Sequence, residues 1–476
     1  MVFSDPVFVY FFLPSCLALY WLGGWRRRNV LICVAGTVFY MWAGGALILL
    51  LLGTTVANYF AAGRLAVLRV TNPSAGRWLL RIIVLADLAS LALWKYGGFA
   101  AEQSARLMRS LGLEATWSLR LVLPIAISFY TFQCISYVVD CWRGTAEPAK
   151  RLVDFAAYIL LFPHLIAGPI VRYADIENDL LTVPRRRLDD FAIGAPRFFW
   201  GLAKKVLIAD QVSGIVNAVF ALPDNRVTTL AAWIGVLAYA IQIYFDFSGY
   251  SDMAIGLARM FGFVFPENFN RPYSAVSVTD FWRRWHMSLS TWFRDYVYFP
   301  LGGSRAGTGR TYFNLSIVFL LTGMWHGADW TFLAWGAFHG ACLIVERVTG
   351  VSEWSPNRLV VPRRVLTFAL VCIGWAMFRA ADFAQGMTFI RSLLSPQGLG
   401  ITEAVTEAIT TQRLVWLALG CLVLLAPRTL RPGYFLSTGT TSVARWARLA
   451  TVAVIAPIVG VYVLSSTFSP FLYFQF

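Results

Sequence analysis

Apolar runs of roughly membrane-spanning length follow one another along almost the whole chain. They lie at 7–22, 30–41, 46–62, 79–96 and 119–139, then at 155–169, 198–220, 230–247 and 311–325, and last at 330–345, 365–378, 414–426 and 449–464. A helix needs about 20 mostly apolar residues to cross a bilayer, so the pattern predicts an all-α, polytopic membrane bundle of about a dozen helices. Some runs are too short or too interrupted to cross alone and read as re-entrant. The composition points the same way, with 58% of the 476 residues hydrophobic and only 14% charged, against about a quarter charged in a soluble domain. The first run has neither a basic start nor a small-residue cleavage site, so it reads as a retained first helix.

The net charge of +15 would suggest nucleic acid in a soluble protein. Here the basic residues sit in short loops between apolar runs, which is the positive-inside signature and argues against a nucleic-acid partner. Arg26, Arg27 and Arg28 follow the first run, placing that loop in the cytoplasm and the N-terminus outside. Arg64, Arg69, Arg77 and Arg81 form the next basic group. The segment 98–117 has mixed charge and suits the outer face, and Arg143, Lys150 and Arg151 return to the inside. Beyond Pro169 the charges assign no side. Cys16, Cys33, Cys134, Cys342, Cys372 and Cys421 lie in apolar runs and no C-x-x-C pair occurs, so they read as packing residues, not disulfides or metal ligands.

No internal repeat, low-complexity stretch or soluble domain interrupts the pattern, which predicts one domain over 1–476. Its middle, 153–345, differs from the rest and is the expected catalytic core, holding all four histidines with charges set between apolar runs. Polar residues at membrane depth are costly and mark function by default.

Three stretches carry this polarity. In Phe162-Pro163-His164-Leu165-Ile166-Ala167-Gly168-Pro169, two prolines break an apolar helix, which predicts a bend or re-entrant segment lined by protein or a wet cavity. In the stretch Gln242 to Ala254, Gln242 and Asp246 share a helix face. Asp246 reads either as a structural acid held by a neighbouring helix or as a site residue. The third stretch runs from Arg271 to His339. Thr279 or Asp280 is a candidate helix cap, and the alternating rings and arginines of Phe281-Trp282-Arg283-Arg284-Trp285 suit an interfacial helix.

His286 and His326 stand on separate segments of this third stretch. Acyl transfer from a thioester to a hydroxyl needs a base near neutral pH, and histidine has the nearest unperturbed pKa. A dry setting also limits hydrolysis of the donor. One of the two rings could act as base and the other as its orienter, and the glycines after Thr322 and His326 would allow close approach to the His326 ring. Each histidine also has the alternative of a satisfied core residue. For His164 and His339 that alternative is preferred, because His339 falls about 220° round from His326 on a continuous helix. No Walker loop, G-x-S-x-G elbow, H-E-x-x-H pair or dinucleotide fingerprint is present. A transporter or flippase, a scaffold recruiting a periplasmic transferase, and a bis-histidine haem protein remain the rival classes.

The sequence resembles the membrane-bound O-acyltransferase superfamily. The resemblance rests on Arg271-Pro272-Tyr273, on Asp280 through Ser290, on Trp292-Phe293-Arg294-Asp295-Tyr296 and on Pro300-Leu301-Gly302-Gly303-Ser304. Met324-Trp325-His326-Gly327, Trp335-Gly336 and His339-Gly340 also fit, as do Ala167-Gly168-Pro169-Ile170 and Asp246 through Asp252. It is strongest to the bacterial polysaccharide branch, which includes alginate O-acetylation and teichoic acid D-alanyl transfer proteins. The opening Met1-Val2-Phe3-Ser4 and the ending Pro470 through Phe476 look like the alginate members. This resemblance implies a helical bundle around a tunnel in a bacterial cytoplasmic (inner) membrane. It implies His326 as the principal catalytic histidine and His286 as the second position, with Asp246, Arg283, Trp285 and Trp325 as candidate substrate-binding neighbours. It implies no cofactor or metal, and as donor acetyl-CoA or another thioester on an acyl carrier protein. It implies acetylation of an exopolysaccharide such as alginate, with a periplasmic acetyltransferase as partner beside the membrane lipids.

Overall fold

A computed structural model of the chain describes residues 2–182, 187–354, 357–425, 427, 429–465 and 471. Met1 and, apart from Phe471, the ending from Pro470 to Phe476 lie outside the described residues. Among the described residues every regular element is a helix. Four helical stretches, Arg28–Thr71, Thr229–Met260, Val360–Arg379 and Ser442–Ser465, are long and apolar enough to cross a bilayer, and Phe8–Leu22 and Thr411–Leu425 are shorter apolar helices. Large apolar side chains such as Leu22, Val70 and Leu425 point outward, as lipid-facing residues do. The protein is an all-α polytopic membrane protein. The chain divides into two compact units, Met1–Gly194 with Ala254–Pro266, and Ala195–Met253 with Glu267–Phe476.

The first unit holds α1 (Leu13–Leu22), α2 (Arg28–Gly44), α3 (Ile48–Thr71), α4 (Pro73–Ser110) and α5 (Ile127–Arg143), followed by α6 (Leu152–Ile159), α7 (Phe162–Leu165) and α8 (Tyr173–Leu181). Local chemistry sets several boundaries. Asn72 accepts a hydrogen bond from the Ala75 amide and Pro73 takes the first position of α4, a pairing of cap and pre-set φ. Helix α5 begins later than the apolar run at 119–139 suggests. Pro124 disfavours helical backbone before it, and Ala126 turns left-handed at φ 65° just ahead of Ile127. Gly144, at φ 75°, ends the same helix in the left-handed conformation that glycine adopts at no steric cost. The expected break around Pro163 is present, with α7 only four residues long. His164 is buried there, its Nε2 donating to the Tyr158 carbonyl at 2.8 Å and its ring stacked on Phe265 at 5.1 Å. It is a buried core residue held by this one hydrogen bond and by the ring stack. Arg28 departs from expectation, being only 3% exposed rather than a solvated loop charge. Its guanidinium donates to the carbonyls of Asp179, Thr182 and Phe261.

The second unit begins within α9 (Arg187–Ala203), which continues through a π-helical turn at Lys204–Ala209 into α10 (Asp210–Phe220) and then α11 (Thr229–Met260). Two short helices follow, α12 (Val278–Trp282) and α13 (Met287–Phe293), then the pair α14 (Thr308–His326) and α15 (Trp330–Val348). The rest are α16 (Val360–Arg379), α17 (Phe383–Leu394), α18 (Glu403–Ala408), α19 (Thr411–Leu425), α20 (Pro432–Thr438), α21 (Ser442–Ala450) and α22 (Ala456–Ser465). Helices α9 and α11 touch backbone to backbone, since a Cβ on Gly201 would lie 2.5 Å from the Gly249 carbonyl oxygen. Small residues make such approaches possible between membrane helices.

Buried charges brace this contact. The adjacent Lys204 and Lys205 reach two acids of α11, Asp252 at 2.8 Å and Asp246 at 2.6 Å, and Lys205 also meets Asp210 at 2.8 Å. Arg197 holds Asp252 and Glu267 and donates to Ser437. Removing one member of a buried ion pair strands its partner at a cost of about 3–5 kcal/mol. Lys205→Met is therefore expected to lower the detergent-solubilised protein's Tm markedly, while the double variant Lys205→Met with Asp246→Leu recovers part of the loss. Thermal unfolding of the three proteins checks this.

Candidate active site

All six residues singled out for the site fall in the second unit. Its frame is the α14–α15 pair. Gly323 and Gly336 let the two helices meet directly, because a Cβ on either would stand 2.3 Å from a carbonyl oxygen of the other helix, Phe332 or Phe319. Helix α14 stops at His326, Gly327 is extended, and Asp329 caps α15 by accepting from the Thr331 amide at 2.8 Å. The space beside Gly327 is taken by the Phe332 ring, 2.1 Å from where a Cβ would be, so this glycine serves packing. His326 is thus fixed at a helix end, 4% exposed, with the rings of Trp325, Trp335 and Phe378 at 5.0, 5.0 and 5.2 Å.

The run 279–290 is not one interfacial helix. Ser277, not Thr279 or Asp280, caps α12 by accepting from the Asp280 amide. Glu346 of α15 adds bonds from the amides of Val278 and Thr279 and from the Thr279 hydroxyl. Phe281, Trp282 and Trp285 are buried in the unit's core, while Arg284 pairs with Asp280 at 2.7 Å. Between α12 and α13 the backbone turns left-handed at His286, φ 45°. This conformation is uncommon for a residue with a side chain. It sends the imidazole inward, where it is fully buried.

Asn268 holds that imidazole. Its Oδ1 accepts from the Ser288 amide at 3.2 Å and the Ser288 hydroxyl at 2.9 Å, and its Nδ2 donates to the Ser251 hydroxyl at 3.2 Å. Its own carbonyl accepts from the Met287 amide at 3.0 Å. With Oδ1 committed as acceptor, the 3.3 Å contact to His286 Nδ1 requires Nδ1 to carry the hydrogen. Nε2 is then the nitrogen with the lone pair, the tautomer a proton acceptor needs. Asn268 is itself fully buried. Its residue type drew no attention in the sequence, although Glu267-Asn268-Phe269-Asn270 directly precedes the Arg271-Pro272-Tyr273 signature.

Trp325 touches both histidines, its ring 5.7 Å from His286 and 5.0 Å from His326. Phe247 of α11 packs edge-on against His286 at 4.7 Å. Asp246, the residue before it, pairs with Lys205. Trp285 lies in the aromatic layer, 5.1 Å from Trp375 and 5.0 Å from Phe269. Arg283 is exposed. His339 does not face away from His326, because the helix breaks at Gly327 and both rings flank Trp335, at 5.1 and 5.0 Å. The Trp282 indole N–H donates to His339 Nδ1 at 3.3 Å.

The arrangement puts two imidazoles into a tryptophan-rich, largely water-excluding layer. Such surroundings suit proton transfer during attack on a thioester and slow its loss to water.

Comparison with known proteins agrees with this chemistry. A model of the membrane-bound O-acyltransferase family matches residues 79–352. A protein named probable alginate O-acetylase from Pseudomonas aeruginosa is 45% identical over 89% of this chain and 81% of its own length. A protein of the same name from Pseudomonas putida is 42% identical over the full length of both. The peptidoglycan O-acetyltransferase of Helicobacter pylori is 32% identical over 86% of this chain and 82% of its own. On the family model and these relatives, the chain is an acyltransferase that belongs to the membrane-bound O-acyltransferase family.

Proposed function

We propose that the protein moves an acetyl group from a cytoplasmic thioester donor across the membrane for O-acetylation of an exopolysaccharide, alginate, and that His326 and His286 carry the chemistry. The observation behind the residue assignment is that two buried imidazoles share the Trp325 ring as a neighbour. Behind the substrate stands the full-length similarity to a probable alginate O-acetylase.

His326 acts as the general base or proton shuttle. The acceptor hydroxyl gives its proton to the imidazole as its oxygen attacks the thioester carbonyl. The carbon–sulfur bond then breaks, and the leaving thiolate takes the proton back from the imidazolium. His286, held by Asn268 with Nε2 unprotonated, supports or shares this role. Trp325 and Trp285 shape the surrounding wall. Asp246 contributes through Lys205, and Arg283, lying outside the ring layer, meets substrate only at the surface. The donor is acetyl-CoA or an acyl carrier protein, reaching the rings by a passage through the bundle. The protein sits in the bacterial inner membrane, and a periplasmic acetyltransferase completes the transfer to the glycan.

Incubating the purified protein with labelled acetyl thioester and candidate acceptors tests the reading. His326→Ala is expected to lose about 10²–10⁴ of the rate, as removal of a general base does, and His286→Ala to be strongly reduced. Equal labelling by wild type and both variants contradicts it, and labelling of another glycan in preference to alginate overturns the substrate. Asn268→Ala is expected to lower kcat with little change in KM for the donor, because it alters the state of an imidazole and not the binding surface. Steady-state kinetics of that variant measure the split.

A further inference from the structure

A recess whose lining includes none of the histidines lies within the same unit. It is a cleft of about 280 Å³ whose walls include Leu237, Ile241, Phe368 and Leu424. Its outer edge is apolar and open, for Val365, Leu425 and Cys421 are all exposed. Helices α11 and α16, which supply much of the wall, both have the length and apolarity of membrane spans. An apolar recess that opens between such helices faces lipid tails.

One cation enters this apolar lining. Arg364 borders the cleft, and its Nε is buried without a hydrogen-bond partner among the described residues. Nearby, Arg271 donates to the carbonyls of Leu430, Val423 and Leu424 and so caps the end of α19 with neutral partners only. All 25 acidic side chains of the chain fall in the described residues, and none of them forms an ion pair with Arg364. The Arg364 guanidinium therefore borders the recess without a carboxylate to balance it, and Arg271 stands close by on the carbonyl of the lining residue Leu424. A partly buried charge in apolar surroundings is stabilised by a counter-ion, and basic pockets between membrane helices take anionic lipid headgroups.

We propose that this cleft binds an anionic phospholipid, with its phosphate on Arg364 beside Arg271 and one acyl chain along Ile241, Phe368 and Leu424. The phosphate supplies the missing negative charge and the chain fills the aliphatic walls. A soluble phosphate compound would satisfy the arginine and leave the walls empty, which is why a lipid is the assigned occupant.

Native mass spectrometry of the full chain released from detergent tests the assignment. The chain is titrated with phosphatidylglycerol or with phosphatidylethanolamine carrying the same acyl chains. Wild type is expected to retain one phosphatidylglycerol at a concentration about fivefold lower than phosphatidylethanolamine, the effect of about one arginine. Arg364→Ala is expected to lose the preference and Arg364→Lys to keep it. Cys421→Trp, which fills the cleft and leaves both arginines in place, is expected to lose the bound lipid. Equal retention of the two lipids by wild type overturns the proposal, as does an unchanged preference in Arg364→Ala and Cys421→Trp. Displacement of the lipid by acetyl-CoA also overturns it, since the phosphate of a soluble donor would then be the ligand.

Discussion

Inside a bilayer no water is available to satisfy a stranded polar group, so each one must find its partner within the protein. That constraint accounts for most of what the second unit does with its charges. Lys205 lies between Asp246 and Asp210, and Arg197 between Asp252 and Glu267. These pairs fix α11 against the segment that carries the lysines, at the point where Gly201 and Gly249 bring the backbones together. Helix α11 in turn supplies Phe247 and Ser251, the first touching His286 and the second anchoring Asn268. The ion pairs thus act on the chemistry at one remove, by holding the helix against which the imidazole rests.

Asn268 is where packing becomes chemistry. A buried imidazole with no fixed partner could take either tautomer. A carboxamide oxygen already committed to a backbone amide permits only one. The same residue ties together Ser251 on α11, the loop before Arg271 and the start of α13. His286 is therefore held by its left-handed backbone and by its side-chain partner at once. His326 is held differently, by the end of α14 and by three aromatic rings. One ring is held by a hydrogen bond and the other sits among aromatic walls, an asymmetry consistent with different duties for the two.

Much of this was legible in the sequence. The apolar runs at 230–247, 311–325, 330–345 and 365–378 lie within α11, α14, α15 and α16, because a chain in lipid must wind its apolar stretches into helices to satisfy the backbone. The break at Pro163 was legible for the same reason that Pro124 misled: proline acts on backbone rather than hydropathy. The run at 119–139 is mostly apolar, yet the helix waits until Ile127. Partners distant in sequence were not legible. Lys205 gave no sign of meeting Asp246, nor Glu346 of capping α12. Asn268 was missed because a neutral amide in a coil segment carries neither charge nor period. His339 was misplaced by assuming a continuous helix through Gly327, where the chain in fact turns back on itself to set both histidines against Trp335.

The state of the His286 ring decides most directly between an imidazole poised for proton transfer and one merely packed. Nitrogen-15 NMR of histidine-labelled protein reports which ring nitrogen carries the proton, and comparison with a His286→Gln sample identifies the signal. The account predicts a neutral His286 with hydrogen on Nδ1 and a lone pair on Nε2, changing when Asn268 is replaced by Ala. Hydrogen on Nε2, or a spectrum indifferent to Asn268, would contradict it.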